Sequence, residues 1–203
     1  MPDKLTNDAR SIARREILSQ RRKLSLQETK DAGLKILSIL REHEFFRQKR
    51  VVASYIAVRG EVDTGSINSW LLKNGHTLAL PVVDPVQDGE MSFYKAEPET
   101  VFTKGRYGIS EPEAKAESLV PERDINAVLL PLVGFDLSGN RLGMGGGYYD
   151  RLLKKLKDDT LLIGIAYDFQ RLESIETREW DMRVDEVITP SGLLRFQPGQ
   201  RFI

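Results

Sequence analysis

Apolar residues at Leu5, Ala9, Ile12, Ala13, Ile17 and Leu24 recur at intervals that place them on one stripe of a helix, predicting a first helix over residues 3–24. Its remaining faces carry Lys4, Arg10, Arg14, Arg15, Arg21, Arg22 and Lys23. Ser25 followed by Glu28 reads as a capping box, which starts a second helix over residues 26–43 with Ala32, Ile36, Leu37 and Leu40 facing inward. Residues 50–57 form a β-branched and aromatic run, the pattern of a buried strand. Asp63 or Thr64 can cap a third helix through Ile67, Trp70, Leu71 and Leu72, and Asn74 with Gly75 stops it. Further strands are expected at 77–83, at 91–95 with a more exposed alternation, at 125–132 and at 161–167, with the last at 184–189. Residues 105–112 read as a loop and 148–156 as a helix. Helices and strands alternate, and several strands are continuously apolar. That combination predicts an α/β fold, a three-layer α/β/α sandwich around a mostly parallel central sheet, in a single domain spanning residues 1–203.

Composition narrows the chemistry. The 203 residues contain no cysteine and only His43 and His76, which excludes disulfide scaffolds, thiol nucleophiles and iron–sulfur clusters and leaves no multi-histidine zinc site. Thirty basic and thirty acidic residues balance, unlike the positive excess of a dedicated nucleic-acid binder. No apolar run approaches the roughly 20 residues that span a bilayer. The amino-terminal segment lacks a secretory pattern, and Asp3, Asp8 and Glu16 are unlike the acid-poor transit peptides, so a cytoplasmic protein is expected.

The candidate chemistry sits after the most apolar strand. Gly143, Gly145, Gly146 and Gly147 precede the helix beginning at Tyr148. Glycines at the carboxyl end of a strand let backbone approach a phosphate, and free N–H groups at a helix start favour anionic oxygens. A tight turn without ligand would use the same glycines, and the spacing matches neither the P-loop nor the dinucleotide fingerprint. The surrounding residues tip the reading toward phosphate. Arg141, Tyr148, Tyr149 and Asp150 offer a cation, two rings and a carboxylate. Asp150 can complement the helix dipole or, beside a phosphate, bind magnesium, with Asp181 as a second acid or a solvated loop residue.

The stretch Leu142 to Arg151 closely resembles the signature of the 5-formyltetrahydrofolate cyclo-ligase (methenyltetrahydrofolate synthetase) family. The likeness extends to the basic first helix, to Gly60–Thr64, to Gly108–Pro112, to Val128–Val133 and to Trp180–Thr189. It departs from the family pattern at Trp180, where many relatives carry a polar residue or histidine, and at Gly146, where some carry lysine. The resemblance implies conversion of 5-formyltetrahydrofolate, with or without a polyglutamate tail, to 5,10-methenyltetrahydrofolate. ATP is the co-substrate, Mg2+ the cofactor, and ADP and phosphate leave. It implies ATP contacts from Arg10, Ser11, Ile12, Ala13 and Arg14 and from Arg141, Leu142, Gly143, Met144, Gly145, Gly146, Gly147, Tyr148 and Tyr149. Folate contacts are implied for Ile56, Glu61 and residues 144–148, and magnesium ligands at Asp150 and Asp181. No covalent nucleophile is expected, and Arg141 and Tyr148 are positioning candidates. A monomer that binds small molecules, with no nucleic-acid or membrane partner, is expected. The competing readings are a folate or nucleotide sensor of the same fold without turnover, a nucleic-acid binder using the basic helix, and a sugar-phosphate isomerase or CoA-transferase relative of similar architecture.

Overall fold

The computed structural model describes residues 3–196, with side chains from Ala9 onward. The expected contributions of the Lys4 and Leu5 side chains to the first helix, and of the acids Asp3 and Asp8, lie outside the described residues. Helix α1 spans Asp3–Arg21 and α2 Leu26–Glu42. Between them the capping box forms as expected. The Ser25 hydroxyl accepts from the Glu28 N–H at 3.2 Å, and the Glu28 carboxylate accepts from the Ser25 N–H at 2.8 Å. Strand β1 is Val51–Ala53, α3 is Gly65–Lys73, β2 is Thr77–Val83 and β3 is Met91–Ala96. Strands β4 (Phe102–Lys104) and β5 (Ser110–Pro112) pair with each other, and the short β6 is Leu119–Val120. Strand β7 (Ala127–Pro131) precedes a small hairpin of β8 (Gly134–Phe135) and β9 (Arg141–Leu142). The described residues continue through α4 (Tyr148–Leu153), β10 (Leu161–Ile165), β11 (Glu186–Thr189) and β12 (Gly192–Arg195).

Eight strands make the central sheet in the order β12-β11-β10-β7-β1-β2-β3-β6. The five from β11 to β2 are parallel, while β3, β6 and β12 run antiparallel to their neighbours. Strand alternation divides the apolar side chains between two cores. Val52, Leu78, Leu80, Leu129, Ile163 and Ile188 meet Ile36, Leu40, Ile67 and Leu71 of α2 and α3. Ala53, Ala79, Val128, Leu130, Leu162 and Val187 face the other way, against Leu152 and Leu153 of α4 and Met182 and Val184. Burial on both faces is why these strands read as unbroken apolar runs. Helix α1 packs through Ile17 on Val133, Leu142 and Ile175.

Several expectations change. The strand expected over 50–57 ends at Ala53; Ser54 N–H still donates to Ala79 O at 2.9 Å, and Tyr55 and Ile56 beyond it line a cavity instead of pairing in the sheet. The loop expected over 105–112 is instead the turn and second strand of the β4–β5 hairpin. Its exposed β4 carries no apolar alternation to announce it. The helix expected over 148–156 stops at Leu153 and continues as single turns. Among the described residues the last strand is β12, a half-buried antiparallel edge strand, rather than β11. Thr64 occupies the cap position of α3 but spends its hydroxyl on Tyr55 O at 2.5 Å. Asp63 accepts the Gly65 N–H at 3.0 Å in its place. No described helix is long and apolar enough to cross a membrane.

Candidate functional site

From β1 the chain proceeds to β2 on one side, whereas β7, β10 and β11 extend the sheet on the other. The β1–β7 boundary is therefore a topological switch point, where the segments leaving the strand ends diverge and open a crevice. The segment after β1 carries Tyr55, Ile56 and Glu61; the segment after β7 carries Leu132, Val133 and the glycine loop.

Local bonding shapes each segment. After β1 the chain reverses at Val58–Glu61. Glu61 N–H donates to Val58 O at 3.0 Å, and the Glu61 carboxylate accepts from Val58 N–H at 3.0 Å. Arg59 (φ 52°) and Gly60 (φ 73°) both take the left-handed conformation, a rare state for an arginine. The buried Arg21 of α1 holds this turn by donating to Val58 O (3.2 Å) and Arg59 O (3.1 Å) and by pairing with Glu61 at 3.3 Å. Burial raises the Glu61 carboxyl above the usual carboxylate range, with Arg21 opposing the shift. After β7, Gln170 donates to Leu132 O and Val133 O at 2.6 and 2.8 Å, satisfying carbonyls that have left the ladder. Asp136 accepts from the N–H groups of Ser138, Asn140 and Ile175 and so folds the β8–β9 turn.

Two cavities meet at the glycine loop. The first, of about 370 Å³, is largely apolar and is walled by Tyr55, Ile56, Leu132, Val133, Met144 and Tyr148, with Glu61 one of six charged side chains in its lining. The second, of about 560 Å³, is polar and lies between α1, the loop and the 178–181 segment, taking Arg10, Ser11, Arg14, Arg178 and Asp181. Gly143, Gly145, Gly146, Gly147, Arg141 and Asp150 line both. Gly145 (φ 99°) and Gly147 (φ 69°) are left-handed, which only glycine tolerates without strain. A larger open groove of about 710 Å³ beside His43 and Arg195 contains none of the residues expected from the sequence.

The second cavity is strongly cationic. Arg14 donates to Gly143 O at 2.9 Å, tying α1 to the loop. Burial and the neighbouring charges of Arg10 and Arg178 together lower its pKa, the signature of cations crowded with too little counter-charge. Arg10 pairs with Asp181 at 2.6 Å, and Asp181 also accepts from Arg178 N–H at 3.0 Å. Arg141 is buried, donates to Met182 O at 3.0 Å and pairs with Asp150. Burial lowers its pKa, and Asp150 and Asp181 counter the effect. Both expected metal ligands thus face one cleft, each beside an arginine.

Not every expected residue reaches the cavities. Leu142 is fully buried in the core, Ala13 packs beside Ile17, and Ile12 does not line the second cavity. Met144, Tyr148 and Tyr149 belong to the first cavity alone. Sequence reasoning missed Arg21, Gln170, Arg151 and the hairpin residues Tyr107 and Glu111. Tyr107 and Tyr148 share a 2.6 Å hydroxyl contact over the first cavity, and Arg151 donates to Gly146 O and Gly89 O. Arg151 closes the signature stretch without a role having been read for it, Arg21, Gln170 and Tyr107 belong to no motif, and the GISEP segment at 108–112 drew attention to Glu111.

Comparison with known proteins places this geometry. The model of the 5-formyltetrahydrofolate cyclo-ligase family matches residues 6–190. The chain is 31% identical over 176 residues to 5-formyltetrahydrofolate cyclo-ligase of Escherichia coli strain K12, covering 86% of this chain and 97% of that protein. It is 28% identical over 194 residues to the Mus musculus protein of that name, covering 90% and 94%. Among solved structures, 5,10-methenyltetrahydrofolate synthetase of Aquifex aeolicus superposes with a TM-score of 0.80 at 35% identity, covering 96% of each chain. The Mycoplasma pneumoniae synthetase superposes at 0.71 with 28% identity, covering 89% of this chain and 98% of that one.

Proposed function

The chain belongs to the 5-formyltetrahydrofolate cyclo-ligase family, and from that membership we propose that it closes the ring of 5-formyltetrahydrofolate to 5,10-methenyltetrahydrofolate at the expense of ATP. The observation that carries this reading is the meeting of an apolar and a cationic cavity across one glycine loop, with Arg141 and Asp150 common to both. A reaction that joins a flat heterocycle to a phosphoryl donor needs such a pair of sites and little else.

The folate ring system occupies the first cavity, with Glu61 accepting from ring N–H groups and Ile56 against its apolar surface. The triphosphate occupies the second, with Arg10 and Arg14 on its oxygens and the free N–H groups of the glycine loop around the terminal phosphoryl group. The formyl oxygen attacks the terminal phosphorus and ADP leaves, giving an imino-phosphate. The neighbouring folate nitrogen then attacks the formyl-derived carbon. The carbon–oxygen bond breaks, phosphate carries that oxygen away, and the nitrogen's proton passes to solvent or phosphate. Arg141 is placed at the junction, where negative charge moves from one bridging oxygen to another. Tyr148, facing the first cavity, positions the formyl group.

Asp150 and Asp181 fit magnesium, which takes one or two carboxylates and completes its sphere with phosphate oxygens and water. When bound, the ion neutralises phosphate charge during transfer. Arg141 pairs with Asp150 and Arg10 with Asp181, which orients both carboxylates toward the shared cleft. Cytoplasmic action as a monomer on these small molecules, from a single 203-residue domain, completes the proposal.

The test is growth of the methenyl product's near-ultraviolet band when protein meets 5-formyltetrahydrofolate and magnesium-ATP, with one ADP formed per product. Asp150→Asn should lower kcat by about 100-fold or more. Product formed without ATP would overturn the mechanism, and full activity in Asp150→Asn would remove Asp150 from the metal site.

A further inference from the structure

Trp180 has no part in the chemistry above, yet it lines the cationic cavity with about half of its surface exposed. A lone exposed aromatic is unremarkable on an ordinary surface. Three observations set this one apart. It is the only aromatic side chain among the described residues lining that cavity, whose other side chains are charged or small and polar. It is held in place: Asp181 N–H donates to Arg178 O at 2.9 Å and the Asp181 carboxylate accepts from Arg178 N–H at 3.0 Å. Arg10 then ties the closed turn to α1. Finally, the Arg178 guanidinium lies over the indole ring, 5.4 Å from its centroid.

These features describe a platform for a flat ring. The reacting phosphoryl group is bound to the loop shared by the two cavities, so the base of the nucleotide must lie toward the part of the cleft that the first cavity does not share. Cations there can hold phosphate oxygens but offer no surface for an uncharged heterocycle. We propose that Trp180 is the base-binding residue of this protein, stacking on the adenine of ATP with Arg178 on its opposite face. The proposal rests on the reading of the second cavity as the nucleotide site. Because every purine has a π-face, stacking alone supplies affinity with little discrimination between bases.

The chain contains two tryptophans, and the other, Trp70, is partly buried against Phe46 and His76 and lines neither cavity. Fluorescence therefore reports the contact directly. Magnesium-ATP should quench the emission of the unaltered protein, whereas inorganic tripolyphosphate, which has no base, should bind without quenching. Trp180→Phe should abolish the quench while calorimetry shows ATP affinity within about threefold of the original. Trp180→Ala should weaken ATP about tenfold and leave tripolyphosphate affinity unchanged. A quench that persists in Trp180→Phe, or unchanged ATP affinity in Trp180→Ala, overturns the proposal. So does an equal loss of ATP and tripolyphosphate in Trp180→Ala, which would show that the indole only braces the 178–181 turn. Failure of the unaltered protein to bind either ligand would remove the nucleotide reading itself, and this proposal with it.

Discussion

Glu61 shows how much of one residue's behaviour comes from its neighbours. Its side chain is buried in a largely apolar cavity, and that burial outweighs Arg21 and lifts its pKa. As pH falls through the raised value the carboxylate gains a proton and becomes a weaker acceptor for the folate N–H groups proposed above. Folate affinity should therefore decline on acidification, beginning above the ordinary glutamate range. Glu61→Gln should weaken folate binding by about 10- to 100-fold and remove that limb of the pH profile, as read by calorimetry from pH 5 to 8. The same shift has the opposite consequence for folding. The native state holds this proton more tightly than the unfolded chain. The contribution is full below the ordinary pKa and is lost as pH rises through the raised one. Denaturation midpoints of Glu61→Gln should lack that loss. Glu61 itself was legible in the sequence through its segment. Arg21 was not, because a lysine- and arginine-rich helix surface gives no sign of which cation is buried; this one is 1% exposed.

At the scale of elements, local chemistry was read well wherever one segment decides its own conformation. The Ser25–Glu28 box formed because both partners lie within one turn. The β4–β5 hairpin was missed because it packs on β2, a contact between distant segments that does not show as a periodic pattern. Gly33 in α2 is a parallel case. A helix-interior glycine normally gains about 0.5–1 kcal/mol on replacement by alanine. Here an added methyl would collide with the carbonyl oxygen of Asp63, whose N–H donates to Thr29 O in the same helix at 3.2 Å. Gly33→Ala should therefore destabilise the protein by about 1–3 kcal/mol in chemical denaturation. A gain in stability would show that the α2–Asp63 contact yields freely.

Across the whole molecule, zero net charge hides an uneven distribution. The first 23 residues carry seven cations and three acids, so the rest of the chain is acidic by the same excess of four. Helix α1 carries Arg10 and Arg14 to one cavity and Arg21 to the other. It is anchored through Ile17 and through these arginines. Saturating magnesium-ATP should consequently slow amide exchange in α1 more than in β7, which is already buried in the sheet. Equal slowing in both, or none in α1, would place the nucleotide elsewhere. By itself the sequence determined the elements with strong internal periodicity, the mostly parallel α/β class and the glycine loop that marks the site. Those depend on spacings of a few residues, where the backbone's own geometry sets the rule. Only the tertiary structure decided that strand order switches between β1 and β7, that one loop floors two cavities of opposite polarity, and that Arg21, Tyr107 and Trp180 face them. These are juxtapositions of segments far apart in the chain, set by how two apolar cores close over one sheet, and no local pattern encodes them.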